Sequence, residues 1–126
     1  MILKIDNTSV DFYVIMGKYF ADRSFIKEMD CQLYDNNCEW YLYYSDNTLC
    51  GFASIEDKGK YHWLDNFYVF EAYRNKGIGT QIIEKVLMDY SNIRLITRNE
   101  NAIRIFKKFG FREYGQNGRY RKMVKE

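Results

Sequence analysis

The sequence predicts an α/β (α+β) chain, a mixed sheet with helices packed on it, and three observations carry that reading. Glu39 to Phe70 holds three runs of strand formers separated by short Asp, Asn and Gly turns, which is an antiparallel meander. From Ile78 onward the apolar residues recur with helical rather than strand spacing. From Tyr61 the element order is strand, helix, strand, helix, strand, strand, and its first three members require a right-handed crossover joining parallel strands.

The elements follow in order. Met1 to Ile5 alternates enough for a first strand. Thr8 or Ser9 is placed to cap a helix whose apolar side includes Val10 and Val14. A short second helix is expected from Arg23 to Met29. Glu39 to Tyr44 and Thr48 to Ile55 flank Asp46-Asn47 as a hairpin. Asp57-Lys58-Gly59-Lys60 turns the chain into a long strand, Tyr61 to Phe70. Ile78, Ile82, Ile83, Val86, Leu87 and Tyr90 share one helical face, opposite Thr80, Gln81, Glu84, Lys85 and Asp89. Ile93 to Thr97 is a short buried strand. Ala102, Ile103, Phe106 and Phe109 form a second helical stripe. Lys107 and Lys108 suit its negative C-terminal end, and Gly110 is a left-handed terminator. Phe111 to Tyr114 and Arg119 to Val124 flank Gln116-Asn117-Gly118 as a final hairpin. There is no proline, so Gly, Asn and Asp mark the turns.

Size and composition narrow the class. The 126 residues suit a single domain spanning 1–126 with one continuous core. With 47% hydrophobic and 18% aromatic residues, disorder is excluded. A formal charge of +2 is too balanced to argue for nucleic acid. No apolar run approaches the roughly 20 residues of a membrane-spanning helix. The opening Met1-Ile2-Leu3-Lys4-Ile5-Asp6 is not a signal peptide, so a cytoplasmic location is expected. Cys31, Cys38 and Cys50 are widely spaced and His62 is the sole histidine, so free reduced thiols and no metal are expected.

The segment Tyr73-Arg74-Asn75-Lys76-Gly77-Ile78-Gly79-Thr80 lies between a buried strand and an amphipathic helix. A helix start offers N–H groups without intrahelical partners and a positive dipole end. Gly77 and Gly79 let backbone approach a ligand, Arg74 and Lys76 add charge, and Thr80 adds a hydroxyl. The combination suits a pyrophosphate, although a tight turn with two surface cations has the same composition. The dinucleotide fingerprint fails at Ile82, where a third glycine belongs, and the P-loop fails on the order Lys76-Gly77-Ile78.

Arg74, Gly77 and Gly79 resemble the acetyl-CoA signature of the GNAT acyltransferase superfamily, Arg/Gln-x-x-Gly-x-Gly/Ala. The resemblance runs across the whole strand–loop–helix unit beginning Phe67-Tyr68-Val69. Asn99, Ala102, Phe106, Gly110 and Phe111 resemble a second pattern of that family, Asn-x-x-Ala-x-x-x-Tyr-x-x-x-Gly-Phe. The match is specific from about Leu64 to Phe111 and rests on element order alone before Glu39.

The resemblance implies a GNAT fold: a mixed, mostly antiparallel sheet of six to seven strands with about four helices on both faces. It implies that Phe67 to Val69 pair with pantetheine at a splayed, bulged strand and aim an N–H at the thioester oxygen. Arg74, Asn75, Lys76, Gly77, Ile78, Gly79 and Thr80 would hold the pyrophosphate. Asn99 and Phe106 would border the pantetheine, and Arg104, Lys107 or Lys108 the 3′-phosphate. Acetyl-CoA is then the acyl-donating co-substrate, and the partner is an amine acceptor, a small molecule or a peptide or protein. A carboxylate must take the amine's proton, and Asp65 on the motif strand is the candidate, with Glu39 second and His62 a further possibility. The family's tyrosine acid is replaced here by Phe106, so Tyr114, Tyr120, Tyr68 or water must protonate the thiolate, or no acid is needed.

Two other readings stay open: a non-catalytic acyl-CoA-binding or regulatory module, and an RNA-associated protein. The latter rests on Arg112, Arg119, Arg121, Lys122 and Lys125 interleaved with Tyr114 and Tyr120, although nucleic acid is disfavoured against a charged terminal hairpin. An exposed terminal strand would also allow a homodimer.

Overall fold

The computed structural model describes residues 1–29, 33 and 38–126. The strands are β1 (Ile2–Asp6), β2 (Cys38–Ser45), β3 (Thr48–Asp57), β4 (His62–Val69), β5 (Ile93–Thr97), β6 (Arg112–Asn117) and β7 (Tyr120–Lys125). The helices are α1 (Val10–Ala21), α2 (Arg23–Met29), α3 (Ile78–Asp89) and α4 (Glu100–Lys108). The strands form a seven-stranded sheet in the order β1-β2-β3-β4-β5-β7-β6. Only β4 and β5 run parallel, because α3 carries the chain back between them; the other pairs are antiparallel.

Alternation along the strands feeds two cores. Trp40, Leu42 and Phe52 meet Phe12, Met16 and Phe25 from α1 and α2 on one face. Tyr41, Ala53, Ile55, Leu64, Leu95 and Met123 meet Ile78, Ile82, Ile83 and Val86 of α3 and Ala102, Ile103 and Phe106 of α4 on the other. Helices therefore cover both faces, and each large apolar side chain fully buried contributes about 1.5–3 kcal/mol.

Three local expectations are corrected. Val10 and Val14 are 88% and 81% exposed, while Phe12 and Met16 are buried. Two residues along a helix is about 200° around it, so α1 buries one pair or the other, and the larger aromatic face wins. The final turn is not Gln116-Asn117-Gly118: β6 runs through Asn117, which pairs with Tyr120, and Gly118-Arg119 make the turn. The terminal strand β7 is not an edge, being paired with β5 on one side and β6 on the other.

Local chemistry fixes several boundaries. Ser9 caps α1, its side chain accepting from the Asp11 N–H. Asp46 and Asn47 both hold positive φ, the conformation a two-residue hairpin turn demands. The end of α4 is a Schellman motif: the Gly110 N–H bonds the Lys107 carbonyl and the Phe111 N–H the Phe106 carbonyl. Cys38 and Cys50 are buried, the Cys50 thiol donating to the Thr48 carbonyl at 3.3 Å; Cys31 lies outside the described residues. Among the described residues no helix is long and apolar enough to cross a membrane.

Candidate active site

The site begins with a pairing that stops. β4 and β5 pair only through His62–Ile93 and Trp63–Arg94. Beyond that point β5 stays with β7, Leu95 opposite Met123 and Thr97 opposite Arg121. β4 stays with β3, Tyr68 opposite Phe52 and Val69 opposite Gly51. Each strand follows its outer neighbour, and a gap opens between them.

A bulge on β4 sits at the opening. Ser54 faces Asp65 and Phe52 faces Tyr68, so two residues of β3 span three of β4. Asn66 is the extra residue: its φ is 52° and it is 2% exposed. Its N–H donates to the Asp65 carboxylate at 2.8 Å, and its Nδ2 donates to Ser54 Oγ at 2.8 Å. Asn tolerates left-handed backbone, and these bonds hold it there.

The gap widens into a cleft of about 810 Å³ between Leu64–Val69 on one side and Leu95–Asn99 on the other. Its far end is the N-terminus of α3. Gly77 is the N-cap at φ 80°, with no side-chain cap, and the first intrahelical bond runs from the Gln81 N–H to the Gly77 carbonyl. The amides of Ile78, Gly79 and Thr80 therefore precede the helical ladder, and all three residues line the cleft. Gly79 is closely packed: a Cβ there would lie 3.0 Å from the Phe67 ring and 3.3 Å from Ile105, so both side chains would have to give. The donor set suits a pyrophosphate, with Arg74 and Asn75 lining the same end.

The cleft gathers most of the residues singled out from sequence: Asp65, Phe67, Tyr68, Val69, Arg74, Asn75, Gly77, Ile78, Gly79, Thr80, Asn99 and Phe106 all line it. Lys76 does not; its ammonium lies over the Tyr73 ring. Tyr114 does not either. It is the bulged residue of β6, where the pairing shifts between Glu113 and Gly115, and its ring faces the Arg94 guanidinium. Tyr120 lines the cleft in its place. Glu39 lies in a separate cavity of about 480 Å³ between β1 and α1, and its carboxylate accepts from the Tyr90 hydroxyl and pairs with Lys4. His62 is outside the cleft, with Nδ1 at 2.8 Å from the Ser91 carbonyl. Of the expected 3′-phosphate residues, Arg104 lines the cleft while Lys107 and Lys108 do not.

Asn99 has a structural duty as well. Its Oδ1 accepts from the Ala102 N–H at 3.0 Å and so caps α4 at the cleft wall. Phe106 is 2% exposed, with its ring centroid 5.6 Å from that of Phe67 and 5.2 Å from that of Phe111. Burial pushes the Asp65 carboxyl above the usual carboxylate value, and the nearby Glu56 charge adds to it; bonds from the Asn66 amide and Trp63 oppose the shift. The Tyr68 hydroxyl is pushed up to about 12 by burial and by its hydrogen bond to Glu28.

Glu28 is the residue that sequence reasoning missed. It lines the cleft from α2 and accepts from Tyr68 Oη at 2.7 Å and from Arg74 Nη2 at 3.4 Å. No spacing rule links position 28 to 68 and 74; only the packing of α2 on this end of the sheet does. The basic–aromatic hairpin is partly neutralised, since Arg112 pairs with Glu126 and Arg121 with Glu113. Among the described residues, no group of three or more His, Cys, Asp or Glu could hold a metal ion.

A splayed parallel pair over a helix N-terminus has the shape and donors that suit an extended, phosphate-bearing ligand. Residues 36–113 match the model of the acetyltransferase (GNAT) domain. The spermine/spermidine N(1)-acetyltransferase of Bacillus subtilis (strain 168) is 30% identical over 71% of this chain and 72% of its own. Escherichia coli ElaA has the same fold at a TM-score of 0.77 and 18% identity, covering 100% of this chain and 99% of its own. A GNAT family acetyltransferase from Elizabethkingia anophelis, solved with acetyl-CoA bound, matches at a TM-score of 0.70 and 16% identity, covering 100% of this chain and 97% of its own. The chain belongs to the GNAT acetyltransferase family.

Proposed function

We propose that this chain transfers an acetyl group from acetyl-CoA to an aliphatic amine, with a polyamine as the acceptor class, by direct attack within the cleft between β4 and β5. The observation that carries the reading is the parting of β4 from β5 after Trp63–Arg94, with the bulge at Asn66 and the helix start at Gly77 facing one cleft. The polyamine assignment is supported by the B. subtilis relative, whose name gives spermine and spermidine as its acceptors. Carboxylates at Glu28 and Asp65 supply the matching negative charge.

Acetyl-CoA, when bound, supplies the activated thioester carbonyl. The backbone of Phe67 to Val69, freed from β5, pairs with the extended pantetheine arm and points an N–H at the carbonyl oxygen. A preoriented donor of that kind is often worth about 3 kcal/mol as negative charge develops there. The amides of Ile78 to Thr80 hold the pyrophosphate, and Asn99, already fixed as the α4 cap, borders the arm. Asp65 takes the proton that the ammonium must lose, directly or through a water. Its raised pKa keeps it a better base than an ordinary carboxylate. Phe106 donates no proton. The thiolate leaves unaided, its conjugate acid being near pKa 8.5 for a simple thiol, or is protonated from water or Tyr120. Tyr114 has no part in this reading.

The test is thiol release from acetyl-CoA with a panel of spermidine, spermine, an amino sugar and a lysine peptide, each product being identified by mass. Release with the polyamines supports the proposal. Tight CoA binding with no release from any amine would replace it with the binding-module reading, for which Phe106 is the specific support.

A further inference from the structure

Glu28 and Arg74 reach the cleft from different elements and meet there. Arg74 opens the proposed phosphate loop and Glu28 sits on α2, and both line the cleft. The Arg74 Nε–H donates to the Val69 carbonyl at 2.9 Å, which anchors the guanidinium beside the strand end. Its face lies over the Tyr68 ring at 5.3 Å. The contact with Glu28 is made by Nη2, which reaches Oε1 at 3.4 Å, the long end of a hydrogen bond. The same oxygen accepts from the Tyr68 hydroxyl at 2.7 Å. One end of the Arg74–Glu28 contact is thus loose, while both groups keep a second, shorter bond that holds them in place.

A pyrophosphate at the α3 N-terminus would compete for that guanidinium. It offers more charge than one carboxylate, and a planar guanidinium matches phosphate oxygens well. Glu28 would then keep its Tyr68 bond, lose its cation, and leave a half-exposed carboxylate facing the cleft. We propose that Glu28 is the specificity-determining residue for the distal ammonium of a polycationic acceptor, and that Arg74 neutralises it until the donor's pyrophosphate draws Arg74 away. Donor and acceptor therefore bind cooperatively, and a monoamine gains nothing from Glu28. The inference rests on the proposed cleft reading, but the Arg74–Glu28 exchange requires no catalysis.

Calorimetry with CoA and spermidine, together with initial-rate kinetics, tests it. Wild type should bind spermidine about tenfold more tightly with CoA present than without, and CoA must gain the same factor from spermidine. Glu28→Gln should bind CoA about threefold to tenfold more tightly than wild type, because the competitor for Arg74 is gone. In an Arg74→Gln background the Glu28→Gln change should leave CoA affinity unaltered within twofold. Glu28→Gln should raise KM for spermidine about tenfold, with KM for propylamine and kcat for both amines little changed. Glu28 is half-exposed, and a melting curve matched to wild type checks that each reading is of native protein. A CoA gain that persists in the Arg74→Gln background is simple charge removal and overturns the exchange. An unchanged spermidine KM in Glu28→Gln overturns the specificity role while leaving acetyl transfer intact. Wild type that acetylates no amine, but obeys the CoA cycle, refutes the proposed function and leaves the exchange standing.

Discussion

Deletion of Asn66 separates the fold of this chain from its proposed chemistry. The bulge adds one residue to β4, and removing it puts Phe67 opposite Ala53. Leu64 and Phe67 then remain on the α3–α4 face, while Asp65 and Tyr68 remain on the other, so no neighbouring side chain changes sides. Among the bonds the deletion removes are those from the Asn66 N–H to Asp65 and from Nδ2 to Ser54, each worth about 1 kcal/mol net. It also removes a left-handed residue whose backbone costs up to about 1 kcal/mol. Ser54 Oγ keeps its bond to the Asp65 carbonyl. Stability should fall by about 1 kcal/mol, a loss of a few degrees in Tm. Ligand binding should suffer more. A straight β4 no longer leaves β5, and the two or three backbone bonds proposed for the pantetheine arm are lost at about 1–1.5 kcal/mol each. The Kd for CoA should therefore rise about 100-fold or more. Urea unfolding and calorimetry with CoA measure the two effects separately. A variant with near-native stability and CoA affinity within about threefold of wild type would refute the link between the bulge and the cleft.

Other predictions test single groups. Asp65→Asn should lower kcat by about 100-fold and remove the acid limb of the kcat/KM profile. Because the folded pKa of Asp65 is raised above 3.8, that limb should lie above the ordinary carboxylate range, and this residue's effect on stability turns unfavourable as pH rises through the interval between 3.8 and the folded value. Gly77→Ala should cost about 1–2 kcal/mol in urea unfolding, from φ 80° alone, since no atom lies within 4 Å of the added Cβ. The same variant should weaken CoA about tenfold in calorimetry, because the methyl group enters the open loop. Asp89→Asn should cost about 1 kcal/mol by weakening the acceptor of the Tyr41 hydroxyl at 2.8 Å and the ion pair with Lys4 at 3.1 Å. Asp89 is held below its usual pKa of 3.8, chiefly by the Tyr41 bond, so the deficit should be full above pH 3.8 and vanish as pH falls through the depressed value.

The sheet and helix order was legible because it depends on local pattern. The apolar stripe of Ile78, Ile82, Ile83 and Val86 is a helical face wherever the helix packs, and it is buried as expected. Asp46-Asn47 is a turn by backbone chemistry alone. The first helix was legible only as a helix, since Val10/Val14 and Phe12/Met16 both satisfy the period and the choice depends on what each face meets. The final hairpin slipped for a related reason: Gln116, Asn117, Gly118 and Arg119 all tolerate a turn, and the register was set by β7 pairing with both β5 and β6.

The candidate site divides in the same way. Residues in one continuous loop, Arg74 to Thr80, could be nominated because a helix start and two glycines stand in adjacent positions, and all but Lys76 line the cleft. Tyr114 and Tyr120 could not be told apart, because a bulge in β6 decides which ring reaches the cleft. Glu28 was invisible, because its partners are 40 and 46 residues away.

The sequence by itself determined the family, the element order and the candidate phosphate loop, since each is written in neighbouring residues. Only the tertiary structure decided where β4 leaves β5, which carboxylates face the resulting cleft, and that Arg74 is bonded to Glu28. Those depend on strand register and helix docking, which couple residues far apart in the chain through contacts that no local spacing encodes.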